Sequence, residues 1–395
     1  MIEAPLIPDR SLATRLPAHG SARYIPALDG IRGLAIVWVV LHNATDIDLA
    51  PTAGILQVLV LLTHPGWIGV QLFFALSGFL ITGGLLDTQR SAHYFRDFYA
   101  KRALRILPLY YGVLFALLVV VPLIPALRAS ISSAGQASLW LFTVNWTHTA
   151  PYGFAHFWSL AIEEQFYLLW PLVVWRLTPR RLLSVCLWVA LGALLLRCVL
   201  VGFGTDWWTL YTNTVCRMDA LALGSAGACL VRIPELREPL LGQTKRILTI
   251  ALTVFVVGIP LTHVYDRTRW AGETLGYSVL AVTCALFVTV VAMFAAKPPS
   301  RVASFVGCAP LRSLGKYSYA MYVFHGLLHK LVGEPWLVAR YGDAVPASAA
   351  LCYAPVLLLV SYLLGFCSYE LFERHFLKLK SLFAPKHQAR VFPAS

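Results

Sequence analysis

Two adjacent carboxylates, Glu163 and Glu164, stand in the stretch HFWSLAIEEQFYLLWP (156–171), whose continuation reads as an apolar helix. Charge inside a bilayer is expensive, so such a pair is either held by structural partners or put to use. A carboxylate in a first helical turn gains from the helix dipole, with Ser159 as the expected N-cap and Trp158 as an interfacial anchor. Successive residues on a helix point about 100° apart. We therefore expect one glutamate to face water and the other to face the bundle, free for a cation, a histidine or a sugar hydroxyl.

Other residues that lipid would reject extend this set. The stretch LDGIRGLAIVWVVLHNATD places Arg32 at one end of a first helix, with His42 and Asn43 most of the way across. At 1.5 Å per residue His42 lies about 15 Å deeper than Arg32. Histidine is the side chain best suited to take a proton from a hydroxyl near neutral pH; the competing reading is a packed, hydrogen-bonded imidazole. GWIGVQLFFALSGFLITGGLL combines glycines with Gln71 and Ser77, and its small residues either let helices approach closely or leave room for an elongated ligand. FRDFYAKRALRILPLYY concentrates Arg96, Lys101, Arg102 and Arg105 ahead of Pro108. Such cations mark topology or meet anionic head groups, or they clamp a phosphorylated ligand, for which guanidinium offers two parallel hydrogen bonds. RMDALALG sets Arg217 and Asp219 at the end of another helix, paired with each other or facing a polar ligand. LGKYSYAMYVFHG groups His325 with Tyr317, Tyr319 and Tyr322.

Elements that position these residues must sit in a membrane. Of the 395 residues 58% are hydrophobic and 13% charged, and the mean hydropathy is +0.69, outside the range of soluble domains. Ten apolar windows of roughly 17 to 22 residues, the length that crosses a hydrocarbon core, fall near 31–47, 67–86, 106–126, 157–175, 182–201, 216–231, 247–263, 275–296, 314–332 and 350–372. The expected fold is all-α: a polytopic integral membrane protein of about ten transmembrane helices. All but seven of the 32 lysines and arginines (Arg128, Arg197, Arg217, Arg267, Arg269, Lys330 and Arg340) fall on one side of this alternation. The positive-inside rule makes that side, and both termini, cytoplasmic. The net charge of +13 is then a topology signal, and no nucleic acid is implied. The expected organisation is a cytoplasmic N-terminal arm (1–29), a transmembrane domain (30–373) and a basic cytoplasmic tail (374–395), with no fused esterase-like soluble domain. A cleaved signal is not expected, since the first apolar run begins far from Met1 and lacks a good small-x-small site after it. Eight cysteines without a CxxC pair read as buried thiols.

Six segments carry a resemblance that spacing alone does not: ALDGIRGLAI, GVQLFFALSGFLITG, YAKRALRILPLYY, FWSLAIEEQFYLLWP, RMDALALG and SYAMYVFH. In this order and at these separations, over residues 24–375, the chain resembles the acyltransferase-3 family. These are integral-membrane enzymes that move acyl groups from acyl-CoA to bacterial surface glycans and some secreted metabolites. The resemblance implies that Arg32 and His42 form an essential pair, that Lys101, Arg102 and Arg105 help hold the donor, and that Glu163 and Glu164 belong to a signature shared with Trp158, Ser159 and Tyr167. Asn43, Ser77, Arg217, Asp219, Tyr322 and His325 are candidates for an acceptor or supporting site. There is one departure. Nine residues rather than the usual ten separate Arg32 from His42, and Asn43 takes the usual place. Either the helix is over- or under-wound between them, as a π-bulge or 3₁₀ turn would do, or His42 enters the site from an adjacent direction.

On this reading cytosolic acyl-CoA, expected to be acetyl-CoA, is the donor, and neither a metal nor a bound cofactor is required. The acceptor is a glycan such as lipopolysaccharide, exopolysaccharide or peptidoglycan, a glycolipid, or a metabolite such as a macrolide, reached from the outer side of a bacterial inner membrane. Buried His, Arg and Glu would also suit a proton-coupled transporter, although the sequence shows no inverted repeat.

Overall fold

The computed structural model describes residues 25–123, 133–147, 149–262, 265–294 and 301–383. Within them run ten helices of 17 residues or more: α1 (Pro26–Thr45), α2 (Ile68–Thr88), α3 (Tyr94–Phe115), α4 (Trp158–Arg176), α5 (Pro179–Gly202), α6 (Thr214–Leu230), α7 (Thr244–Leu261), α8 (Tyr277–Phe294), α9 (Ala309–Leu328) and α10 (Ala347–Ser368). Each overlaps one of the ten apolar windows. Short helices and turns connect them. Among the described residues there is no strand, only an isolated bridge between Leu49 and Val345.

The chain is a multi-pass membrane protein. Among the described residues seven helical segments are long and apolar enough to cross a bilayer, or eight if Trp207–Leu230, which includes α6, counts as one span with the helix Pro234–Gly242, bent from it by 94°. The more polar α4 and α9 fall outside that set and carry much of the candidate site. Lipid-facing chemistry is plain on α5, which exposes Leu187, Trp188, Leu191, Leu195 and Val199 and buries Arg197. This inverts the soluble pattern, as a hydrocarbon solvent requires.

Glycines set the tightest contacts. A Cβ on Gly33 would lie 2.1 Å from the Leu311 carbonyl oxygen, and one on Gly315 1.8 Å from that of Asp29, so α1 and α9 run side by side at backbone distance. Gly78 and Gly224 do the same for α2 and α6. Between the two readings of the glycines in α2, close approach accounts for Gly69 and Gly78.

Polar contacts at helix ends fix the alternation. The Gln89 amide donates to the Val174 and Leu177 carbonyls, joining the ends of α2 and α4. Arg232 pairs with Asp87 at 2.7 Å, Arg180 with Glu235 at 3.1 Å, and Lys316 with Glu370 at 3.7 Å. The starts of α1, α3, α5 and α9 therefore share one face with the ends of α2, α4, α6 and α10. Most cations gather there, and we term it the basic face. Arg128 lies outside the described residues.

One boundary differs from expectation. The third window begins at 106, whereas α3 starts at Tyr94, so Arg96, Lys101, Arg102 and Arg105 ride on the helix itself and not on a loop before it. No glycine or proline interrupts 94–107, and long cationic stems lie along apolar surface while their heads reach polar surroundings. All eight cysteines are free thiols, but only Cys186, Cys216, Cys229 and Cys284 are buried as expected; Cys198, Cys352 and Cys367 are exposed on the bundle surface.

Candidate active site

A cleft of about 100 Å³ lies among α1, α2, α3, α4 and α9. α2 lines it with Val70, Phe73, Phe74 and Ser77, and α4 with Ser159, Leu160, Glu163, Glu164 and Tyr167. Both sets follow the three- and four-residue spacing of one helical face. Opposite stand Arg102, Arg105 and Ile106 of α3, Arg32 of α1, and Ser318, Tyr319 and Tyr322 of α9. Three cations thus face two carboxylates across a partly apolar chamber.

The carboxylates are held differently. Glu163 Oε1 accepts from Ser77 Oγ at 2.7 Å, and Tyr167 Oη donates to Glu163 Oε2 at 3.1 Å. Glu164 makes no hydrogen bond among the described residues. Arg32 pairs with Asp29 at 2.6 Å. Arg102 lies 5.0 Å above the Tyr167 ring, and neither it nor Arg105 forms an ion pair among the described residues. At the inner end Ser159 Oγ and Tyr322 Oη are 2.6 Å apart, and Tyr322 Oη also donates to the His156 carbonyl. A second cavity of about 300 Å³ adjoins the first and shares Arg102, Glu164 and Tyr167 with it.

Several expectations are corrected. Both glutamates line one cleft and neither is reserved for water, because the cleft wraps far enough around α4 to meet side chains 100° apart. Ser159 is not an N-cap: α4 begins at Trp158 after Phe157, with no side-chain cap, and Ser159 is spent on Tyr322. Trp158 is no interfacial anchor; it is buried edge-on to Phe74 and tilted against Tyr211. Lys101 is half-buried and lines neither cavity. Arg217 and Asp219 do not pair, since residues two apart leave a helix on opposite sides. Asp219 instead pairs with Arg197 of α5 at 2.8 Å, both fully buried. Arg217 donates to Gln71 Oε1 at 2.5 Å and lies 4.4 Å from the Tyr277 ring centre and 5.0 Å from that of Tyr211.

His42 lies outside the cleft lining. α1 is an unbroken α-helix from Pro26 to Thr45, so no bulge or tightened turn restores the family register, and His42 is turned away from the face of Arg32. It is 4% exposed; its Nε2 is 3.9 Å from Asp46 Oδ2, and its Nδ1 has no partner among the described residues. Asp46 is in turn 3.3 Å from the Arg267 guanidinium, which lies over Trp207 and Tyr211. Asn43 donates to the Val39 carbonyl of its own helix. A chain of contacts joins this niche to the cleft: Arg267 to Tyr211, Tyr211 to Trp158 and Arg217, Trp158 to Phe74. His325 is fully buried beside the lining, with Nδ1 on the Tyr322 carbonyl and its ring 5.3 Å from that of His156. Tyr319 lines the cleft, whereas Tyr317 packs among Tyr362, Phe366 and Tyr369.

Sequence reading missed Asp46, Arg267, His156 and Arg197. Asp46 follows His42 by four residues, a spacing that places both on one helix face and was a usable signal. Arg267 is 221 residues from Asp46, and no local pattern announces it.

A helical membrane bundle whose polar chamber opposes cations to carboxylates defines a class of membrane-embedded transfer or transport proteins. A family model for an acyltransferase domain matches residues 25–366, and the chain belongs to that family. The YrhL protein of Bacillus subtilis is 31% identical over 329 residues, covering 77% of this chain and 48% of its own length. The O-acetyltransferase OatA of Staphylococcus aureus is 29% identical over 340 residues, 79% of this chain and 51% of its own. The peptidoglycan O-acetyltransferase OatA of Listeria monocytogenes is 28% identical over 327 residues, 77% and 49% respectively. The chain spans about half the length of these curated relatives. No solved structure matches it.

Proposed function

We propose that the chain is a membrane O-acyltransferase that moves an acyl group, acetyl by preference, from acyl-CoA at the basic face to a sugar hydroxyl presented from the opposite face. The observation that carries this reading is the cleft itself. Arg102 and Arg105, free of ion pairs among the described residues, stand across from Glu163 and Glu164 in a chain of the acyltransferase family. Acyl-CoA is too highly charged to cross a bilayer, and a cationic cleft concentrates such an anion at the side where it is made. The positive-inside rule supports a cytoplasmic basic face, and the bacterial origin of the relatives supports a bacterial inner membrane.

Arg32, Arg102 and Arg105 would hold the donor phosphates while the pantetheine arm lies along Phe73, Phe74 and Tyr322 of the cleft; its approach to His42 requires the packed aromatic residues around Arg217 to give way. His42 takes the proton of the acceptor hydroxyl, and Asp46 steadies the resulting imidazolium. The hydroxyl oxygen bonds to the thioester carbon, the carbon–sulfur bond breaks, and CoA thiolate leaves and is protonated. Direct transfer needs only the groups in place, which favours it over an acyl-histidine intermediate. Peptidoglycan is the acceptor class that the relatives' names support; a glycolipid or a secreted metabolite fits the same chemistry.

The test is CoA release by purified protein given acetyl-CoA and a thiol reagent. We expect slow release that depends on His42 and accelerates with glycan fragments. Release unchanged in His42→Ala would refute the mechanism. Absence of release, with substrate uptake driven by a pH gradient, would favour the transporter.

A further inference from the structure

Beyond its last crossing the chain turns back along α3. The segment Ala347–Phe383 runs to 37 residues, whereas a crossing takes roughly 20, and residues 369–383 lie past the match to the family model, which ends at 366. They pack as a strap at the basic face. The Phe372 ring lies 3.8 Å from where a Cβ on Gly112 would stand, and the Arg96 guanidinium lies 5.9 Å from the Phe383 ring centre, so the strap runs antiparallel to α3. Its carboxylates are engaged: Glu370 pairs with Arg374 at 2.6 Å and with Lys316 at 3.7 Å, and Glu373 accepts from Ser368 at 3.0 Å and faces Arg105. Lys380 is not. It stands three residues before Phe383 in a 3₁₀ turn, Leu379–Phe383, where side chains three apart eclipse, and so it faces α3 as Phe383 does. Lys380 is half-buried. The charges it meets are those of Arg105, Arg102 and Lys101, and it has neither an ion pair nor a hydrogen bond among the described residues. Like charges held together cost free energy until an anion joins them.

We infer that Lys380, with Lys101 beside it, forms a second anion subsite next to the cleft, which takes the ribose phosphate of the CoA donor. This rests on the reading of the cleft as the donor site. A donor entering acyl end first leaves its nucleotide outermost, and two groups carry its charge: a diphosphate next to the pantetheine and a phosphate monoester on the ribose. The guanidinium groups of the cleft suit the first. Lys101 and Lys380 line neither cavity yet adjoin Arg102 and Arg105, so they stand one step further out, as the monoester does. An ammonium meets it as a point charge with rotatable donors. Lys101 thereby gains a role that the lining of the cleft denies it. An anionic lipid headgroup offers the same phosphate chemistry, and the experiment separates the two sources.

The experiment is equilibrium binding of CoA, and of dephospho-CoA, which lacks the ribose phosphate, to the full chain in phosphatidylcholine nanodiscs. Lys380→Gln is compared with the wild type and with Lys378→Gln, which alters an exposed lysine of the same strap. In the wild type we expect CoA to bind roughly tenfold more tightly than dephospho-CoA, the scale of one charge-assisted contact. Lys380→Gln should remove most of that preference by weakening CoA, while dephospho-CoA binds as before and so reports correct folding. Lys378→Gln should keep it. A preference absent from the wild type overturns the proposal, as does one that Lys380→Gln leaves intact or that both variants lose alike. Equal weakening of the two ligands by Lys380→Gln would put the lysine on the diphosphate and overturn the assignment as well. If the lysine serves a lipid headgroup, Lys380→Gln will leave CoA binding unchanged and lower the phosphatidylglycerol retained through purification, which refutes the subsite. Failure of the wild type to bind either ligand would instead remove the donor reading of the cleft, and the subsite with it.

Discussion

Glu163 has two hydroxyl partners and Glu164 none among the described residues, yet both face the cations of one cleft. Replacing either by glutamine removes charge without removing bulk. We expect Glu163→Gln and Glu164→Gln each to lower kcat/KM at least tenfold, about 1.4 kcal/mol of transition-state stabilisation. Mild losses in both would show a structural pair. Arg102→Ala and Arg105→Ala should each weaken CoA binding by about 2 kcal/mol, the value of one charge-assisted contact. Unchanged CoA affinity by calorimetry in both would leave topology as their role. For His42 the partner is Asp46. Asp46→Asn should reduce kcat with little change in KM and alter the pH profile of kcat, whereas a purely structural contact would leave that profile in place. Residue identities in the cleft were largely readable, because Arg102, Glu163 and Tyr322 are anomalies in an apolar sequence. Their partners were not. A carboxylate's counter-charge comes from whichever helix packs beside it, as Arg197 does for Asp219, and spacing within one segment cannot name it.

At the scale of elements, the helices were legible because a bilayer imposes a length on apolar runs. The start of α3 was not, since its cations read as a loop until the cleft gives them something to face. The register on α1 shows the same limit: sequence posed a bulged or a regular helix, and only the backbone, regular from Pro26 to Thr45, chose between them. The α1–α9 contact depends on glycine more than on side-chain packing. A Cβ at Gly33 or Gly315 would strike a backbone carbonyl, and such overpacking costs typically 1–3 kcal/mol. Gly315→Ala and Gly33→Ala should therefore lower the Tm in detergent by several degrees or abolish the monodisperse peak on size exclusion. Gly192→Ala, with nothing within 4 Å of the added carbon, should keep or raise it, alanine being the better helix former. Equal behaviour of all three would mean that α1 and α9 are not in backbone contact.

Taken as a whole, the molecule separates its polar groups: Arg102 and Arg105, without ion pairs among the described residues, stand in the cleft, and His42, Asp46 and Arg267 lie toward the face opposite the basic one. Transfer across the bilayer is what we propose for that separation, and it is the central claim. It is tested most directly by sidedness. The chain is reconstituted into liposomes in one orientation, established by protease access to a tag at its C-terminus, and acetyl-CoA is supplied either inside or outside. CoA should be released only when the donor is on the side of the basic face, and Arg102→Ala should reduce that release. Release of CoA from donor supplied only at the opposite face would contradict it.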